Sequence, residues 1–411
     1  MFIGKSLTIL LVCAFFLSAC MPTNNRPDFT RVGPPLSSSL SKANVDEQGV
    51  PRPKLDVVIP VFDPGLPEDP DDYEEEGVWP ELRRAEANRF AYKLKDALEK
   101  TEVFGAVRIT PDRSATSDLY ILGRIDKSNG EEIEIDLEVL DISGRVWLDK
   151  SFDHKVKAYF YKNQRNKGKD PYDPVFKKAA TKIVQELKQY PAKDLDNLRY
   201  LADLRFGANF SDDAFMQHMK MEDGRITLTG KPAEDDPMLR RVKAIRVRDQ
   251  LFIDGLQANY STFSQRMNDS YSVWQEQSSL EVKAEREAKA KAAREAIGGA
   301  LLLGLGVFSA VAGSQSDSSI GSAAGTAGAV VGGMAGAALL HESFKTSKEA
   351  KLHRDTLDEL GESLDMELAP QVIKYEKETV KLTGDAKEQF AQWRAFLKKI
   401  YEQEATPDVQ L

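Results

Sequence analysis

The chain is 411 residues long, 41% hydrophobic and 29% charged, with 56 Lys+Arg against 65 Asp+Glu and a net charge of −9. That composition can fill packed cores in two or three domains, which excludes wholesale disorder, and the acidic balance excludes a protein built mainly to bind nucleic acid. The two cysteines, Cys13 and Cys20, both fall within the first 20 residues, which excludes a disulfide framework, a Cys-based zinc site and a thiol enzyme.

Residues 1–5 are short and positive, and residues 7–17 (LTILLVCAFFL) are apolar. Eleven residues are too few to cross a bilayer as a helix, which needs ~20. The segment reads as a secretory signal peptide. It ends in Leu17-Ser18-Ala19-Cys20, small residues before a cysteine, and resembles the lipobox of bacterial lipoproteins. The resemblance implies that residues 1–19 are removed and that Cys20 carries covalent lipid on its sulfur and amine. No metal or other cofactor is expected. Position 21 is Met, not the Asp that resembles an inner-membrane retention signal in enteric bacteria. The expected location is therefore the outer membrane, lipid-anchored, with the main body periplasmic. Several acyl chains on one residue hold stably, at ~0.8 kcal/mol per buried CH₂. Residues 20–54, rich in Pro and Ser, read as the lipidated tether.

Residues 55–192 read as an α/β domain. The β-branched run 55–62 predicts a strand. The loop 63–77 holds eight acids and three prolines, without the glycine an EF-hand needs, and reads as a solvated acidic loop. Pro80 predicts a helix start, with Phe90, Leu94 and Leu98 on one face. Strands are predicted over 103–109 and around Leu119, Ile121 and Ile125. In 131–142, Ile133, Ile135, Leu137 and Val139 alternate with Glu132, Glu134, Asp136 and Glu138, as in a sheet covered on one face. Ser143-Gly144 turns the chain into a further strand, and a helix over 174–190 closes the unit. The expectation is an α+β fold: a mixed or antiparallel sheet with two helices. The segments Asp118-Leu119-Tyr120-Ile121-Leu122-Gly123-Arg124-Ile125 and Leu140-Asp141-Ile142-Ser143-Gly144-Arg145-Val146-Trp147 resemble the TolB N-terminal-like domains, the superfamily of the curli secretion channel lipoprotein. That resemblance implies protein–protein contact and oligomers, not chemistry. Lys162, Arg165, Lys167 and Lys169 form a basic loop that reads as solvated.

From 193 onward the pattern becomes helical, and the expectation is an all-α region. A turn is predicted at Asp223-Gly224. A long amphipathic helix from Met238 carries Val242, Ile245, Phe252, Leu256, Tyr260, Phe263, Met267, Tyr271 and Trp274 on one face. Residues 281–295 mix both charge signs without an apolar stripe. Residues 296–340 are nearly free of charge, interrupted by Asp317. They carry Gly321, Gly325, Gly328, Gly332 and Gly336, a glycine zipper. Glycine costs ~1 kcal/mol per residue in a water-exposed helix, so such a row implies close backbone contact. A helical hairpin turning at 315–319 is expected. It would insert in a membrane, pack inside a soluble oligomer, or act as a flexible linker. Residues 341–411 are expected as C-terminal helices, with stripes at Leu357, Leu360, Leu364 and Leu368, then Ile373 and Val380, then Phe390, Trp393, Phe396, Leu397 and Ile400. Asp385 with Glu388 predicts a capping box.

No catalytic motif is visible. His154, His218, His341 and His353 have no metal-ligand spacing, and no G-x-S-x-G or H-E-x-x-H occurs. The expected function is non-enzymatic: an outer-membrane lipoprotein acting as scaffold or oligomeric component of a cell-envelope or secretion assembly. Its expected partners are the lipid bilayer, envelope proteins and copies of itself. The alternatives are a periplasmic adaptor that regulates a cell-wall synthesis enzyme, or a helical pore.

Overall fold

The computed structural model describes residues 51–310, apart from Ala158 and Glu234, and residues 348–405, apart from 376–377. The apolar run after Lys54 forms β1 (Val57–Pro60), buried at all four positions. It runs parallel to β2 (Val107–Thr110) on one side and to β3 (Leu119–Ser128) on the other. From β3 the chain reverses twice, into β4 (Glu132–Asp141) and β5 (Val146–Lys155), both antiparallel to their neighbours. The sheet order is β2-β1-β3-β4-β5 and the sheet is mixed.

The β4 alternation lands as read. Ile133, Ile135, Leu137 and Val139 are buried, and Glu132, Glu134, Asp136 and Glu138 lie on the opposite side. The turn into β5 has a local cause. Asp141 Oδ1 accepts from the Ser143 N–H at 2.9 Å, and Asp141 Oδ2 accepts from Trp147 Nε1 at 2.8 Å. Gly144 takes φ 87°, a left-handed conformation open to glycine. One carboxylate thus fixes both the bend and the first aromatic of the next strand.

Two helices cover the apolar face. Helix α1 (Asp72–Glu76) is one turn inside the acidic loop. Helix α2 (Pro80–Glu99) starts on Pro80, with Glu81 in its first turn, where the fixed φ and a negative charge both favour initiation. Helix α3 (Asp173–Leu187) buries Val175, Phe176, Ile183 and Leu187. The Phe90 ring of α2 meets Phe176 of α3 edge-on at 5.3 Å.

The region beyond residue 193 is not all-α. Helix α4 (Ala192–Ala208) and the single turn α5 (Asp212–Phe215) lead into a hairpin, β6 (Met219–Glu222) and β7 (Arg225–Leu228). Its turn is the expected Asp223-Gly224, with φ 51° and 74°, the conformation that suits a two-residue hairpin. A second hairpin, β8 (Gln371–Tyr375) and β9 (Glu378–Leu382), replaces the helix expected through Ile373 and Val380. Those two residues are seven apart, which fits two helical turns. Here they face each other across the hairpin. Pro370 and the β-branched residues that follow favour the extended form.

Helix α6 (Pro237–Ala310) is continuous over 74 residues, about 110 Å of backbone. Gly255 does not interrupt it. Its apolar stripe from Leu239 to Trp274 is buried, so this part is a packed helix and not a free stalk. Gln257 secures the contact: its Oε1 accepts from the Ile109 N–H and its Nε2 donates to the Ile109 carbonyl, both at 2.9 Å. The side-chain amide stands in for a neighbouring strand at the β2 edge. Helix α7 (Lys348–Leu360) packs on α6 and α2, with the Gly361 carbonyl accepting from Arg84 Nε at 2.6 Å. Helix α8 (Ala386–Ala405) stacks Trp393 on Phe252 of α6 at 5.1 Å. Asp385 caps it as expected, accepting from the Glu388 N–H at 2.8 Å.

Among the described residues no helix is long and apolar enough to cross a membrane. Of the hairpin expected over 296–340, residues 296–310 are helical as the end of α6. Gly321, Gly325, Gly328, Gly332 and Gly336 lie outside the described residues, as does Cys20.

Candidate functional site

The residues singled out in the sequence for lipidation and self-association are therefore not placed against one another. What the fold does assemble is a charged cleft of about 590 Å³ between the sheet, α4 and α6. It starts from two aspartates that precede neighbouring parallel strands. Asp56 stands before β1 and Asp118 before β3, so the strand pairing brings both to one end of the sheet. Asp118 Oδ2 accepts from the Asp56 N–H at 2.8 Å, and Asp56 Oδ1 accepts from the Ala106 N–H at 2.9 Å. Arg246 of α6 reaches across both layers. It donates to Asp203 of α4 at 2.5 Å and lies 3.5 Å from Asp118. Burial pushes the Asp118 carboxyl up, and Arg246 pulls it back down.

Arg199, Tyr200, Lys231 and Lys243 form the outer wall, with Asp196, Val247 and Gln250. Lys231 and Lys243 both lie over the Tyr200 ring, at 4.9 and 5.6 Å from its centre. The cleft has the volume of a small-molecule site but not its apolar lining. Four carboxylates and four cations line it.

A second polar cluster is sealed in the core. Glu86 of α2 is fully buried. Its Oε1 accepts from Ser128 Oγ at 2.5 Å and from Tyr271 OH at 2.7 Å. Its Oε2 has no hydrogen bond, and Arg83 Nε stands 3.7 Å away. Burial pushes the Glu86 carboxyl up, against Arg83, Ser128 and Tyr271. A carboxyl raised in the folded state holds protons that the unfolded chain has released. Stability therefore falls as pH rises from the ordinary value of 4.5 through the folded one. Glu86→Gln keeps an oxygen for both hydroxyls and carries no charge. Its melting temperature should match or exceed the parent's near pH 8, and that advantage should shrink towards pH 4. Thermal melts at the two pH values check this.

Ser270 Oγ lies 3.1 Å from His353 Nδ1, but Ser270 is buried, and the pair is a packing contact between α6 and α7. Among the described residues no group of His, Cys, Asp and Glu is arranged to hold a metal ion. The basic loop Lys162, Arg165, Lys167 and Lys169 is exposed. The cleft residues were not singled out from sequence. Their one local signal is an aspartate immediately before each of two strands.

No family model matches the chain, no curated protein matches it, and no solved structure matches its fold.

Proposed function

We propose that the chain is an outer-membrane-anchored lipoprotein that serves as a scaffold in a cell-envelope or secretion assembly. The Leu17-Ser18-Ala19-Cys20 motif supports the anchor. The mixed sheet with two helices on its apolar face supports a TolB N-terminal-like body that works by protein contact. The observation that carries the scaffold reading is α6. It is bolted to the body through Trp274 and continues without a break to Ala310, towards the glycine-rich segment. The charged cleft thus sits on an element that runs unbroken to Ala310. In this reading lipid at Cys20 holds the protein, the cleft receives a partner, and Gly321, Gly325, Gly328, Gly332 and Gly336 pack copies together.

With residues 1–19 replaced by a signal peptide that is cleaved without a lipobox, Cys20→Ser should move the protein from the membrane pellet to the soluble periplasmic fraction. Retention of the variant in the pellet would overturn lipid as the sole anchor. Asp317→Cys then reports on the glycine-rich segment, because the only other cysteine of the mature chain would be lipidated. Labelling by an impermeant maleimide in intact cells would place residue 317 at the cell surface and favour a spanning assembly. Labelling only after outer-membrane permeabilisation would favour the periplasmic adaptor.

A further inference from the structure

Strand β5 ends the sheet, is ten residues long, and among the described residues has no strand on its far side. Which backbone groups it leaves open follows from its register. The Val156 N–H donates to the Glu131 carbonyl at 2.7 Å, and Ile133, Ile135, Leu137 and Val139 face His154, Phe152, Lys150 and Leu148. Hydrogen bonding alternates along an antiparallel strand, so the even-numbered residues of this stretch bond to β4. The N–H and C=O groups of Asp149, Ser151, Asp153 and Lys155 point outward. The same four side chains lie on the carboxylate face of the sheet, opposite Glu138, Asp136, Glu134 and Glu132. Lys178 of α3 reaches over this edge, with Nζ 3.5 Å from the Asp153 carbonyl and from Oδ1. That is the outer limit of a hydrogen bond, and an incoming strand can displace it.

An open edge of this length is a template for another strand. We infer that its occupant is β5 of a second copy, paired antiparallel about a two-fold axis through Phe152, which joins two sheets into one. The choice of partner and register comes from charge. Open groups occur only at odd positions, so odd must pair with odd. Centring on Phe152 sets Asp149 opposite Lys155 and Ser151 opposite Asp153, each twice. Centring on Ser151 instead sets Asp149 opposite Asp153, and centring on Asp153 sets it against itself. Like charges directly opposite one another destabilise a strand pair, and opposite charges stabilise it. Centring on His154 also sets Asp153 opposite Lys155, but it carries Asp149 and Ser151 past the end of the strand, so only the Phe152 register pairs all four outward residues of the edge. The inference rests on the sheet alone and is independent of the glycine-rich segment.

Disulfide trapping tests it in the full mature chain, purified in detergent with Cys20 lipidated. A Ser151→Cys preparation is mixed with an Asp153→Cys preparation under mild oxidation. Hydrogen-bonded partners in an antiparallel pair lie ~5.5 Å apart at Cα, within disulfide reach. The mixed 151–153 disulfide should dominate, identified by mass spectrometry of the linked peptides. Asp149→Cys mixed with Asp153→Cys should give only background. Adding Asp149→Lys to both partners of the productive mixture should lower its yield roughly tenfold, since two attractive pairs become repulsive. These sites are exposed, so the variants should fold, which a thermal melt verifies. Absence of the 151–153 link, links without register preference, or a yield unchanged by Asp149→Lys would each overturn the pairing.

Discussion

Asp170→Ala is expected to cost about 3–5 kcal/mol, because it strands a buried guanidinium. Arg89 of α2 and Asp170 are both almost fully buried, and their closest atoms are 2.7 Å apart. The other arm of Arg89 donates to the Ser264 carbonyl at 2.9 Å and to Asn268 Oδ1 at 2.7 Å, both on α6. Its guanidinium lies 4.7 Å from the centre of the Tyr271 ring. One arginine therefore joins α2, the segment leading into α3, and α6. Without Asp170 the guanidinium loses its directly paired carboxylate, and a shift of the urea midpoint measures the loss. The pH dependence follows from the same contact. Burial opposes the charge on Asp170, but Arg89, Lys93 and the Tyr172 N–H hold its carboxyl at about 2, below the ordinary 3.8. The stabilisation is complete above 3.8 and is lost as pH falls towards 2. The variant should therefore lose less stability than the parent over that interval.

Phe62→Ala should be comparably severe, at about 3–5 kcal/mol. Phe62 is fully buried just beyond β1, and its ring lies flat against Gly123 in β3. A Cβ placed on Gly123 would come within 2.4 Å of that ring. Gly123→Ala should cost about 1–3 kcal/mol by overpacking. The two effects should not add, because the Phe62→Ala cavity makes room for the new methyl group. A double-mutant cycle from urea titrations measures the coupling. Additive costs would show that ring and glycine do not act as one contact.

The elements legible in the sequence are those with a single period and a single environment. The isoleucines of β4 alternate against carboxylates because one face is buried and the other is not. The stripe of α6 shows because only one side of that helix meets the body. Helix α2 was half legible. Phe90, Leu94 and Leu98 marked one face, yet Arg83, Glu86, Asn88 and Arg89 are buried too. Helices α6 and α7 cover the side that composition marks as solvent-facing, and hydrogen bonds satisfy most of the polar groups there. The hairpin β8–β9 is hidden because a seven-residue spacing satisfies both a helix and a pair of facing strands. The cleft was not legible. Asp56, Asp118, Asp203 and Arg246 meet only after strand pairing and helix docking have been decided, and no local pattern joins them.

The unbroken backbone of α6 fixes an angle as well as a distance. Each residue of an α-helix turns the chain by about 100° and advances it about 1.5 Å. The Ala310 end of the helix therefore stands at a set azimuth relative to the charged cleft. One residue inserted after Ser278 would swing the far end by about 100° while moving it barely at all. Seven would carry it about 10 Å outward and turn it only about 20°. In this protein, rotational phase and reach can be varied separately by the length of one helix.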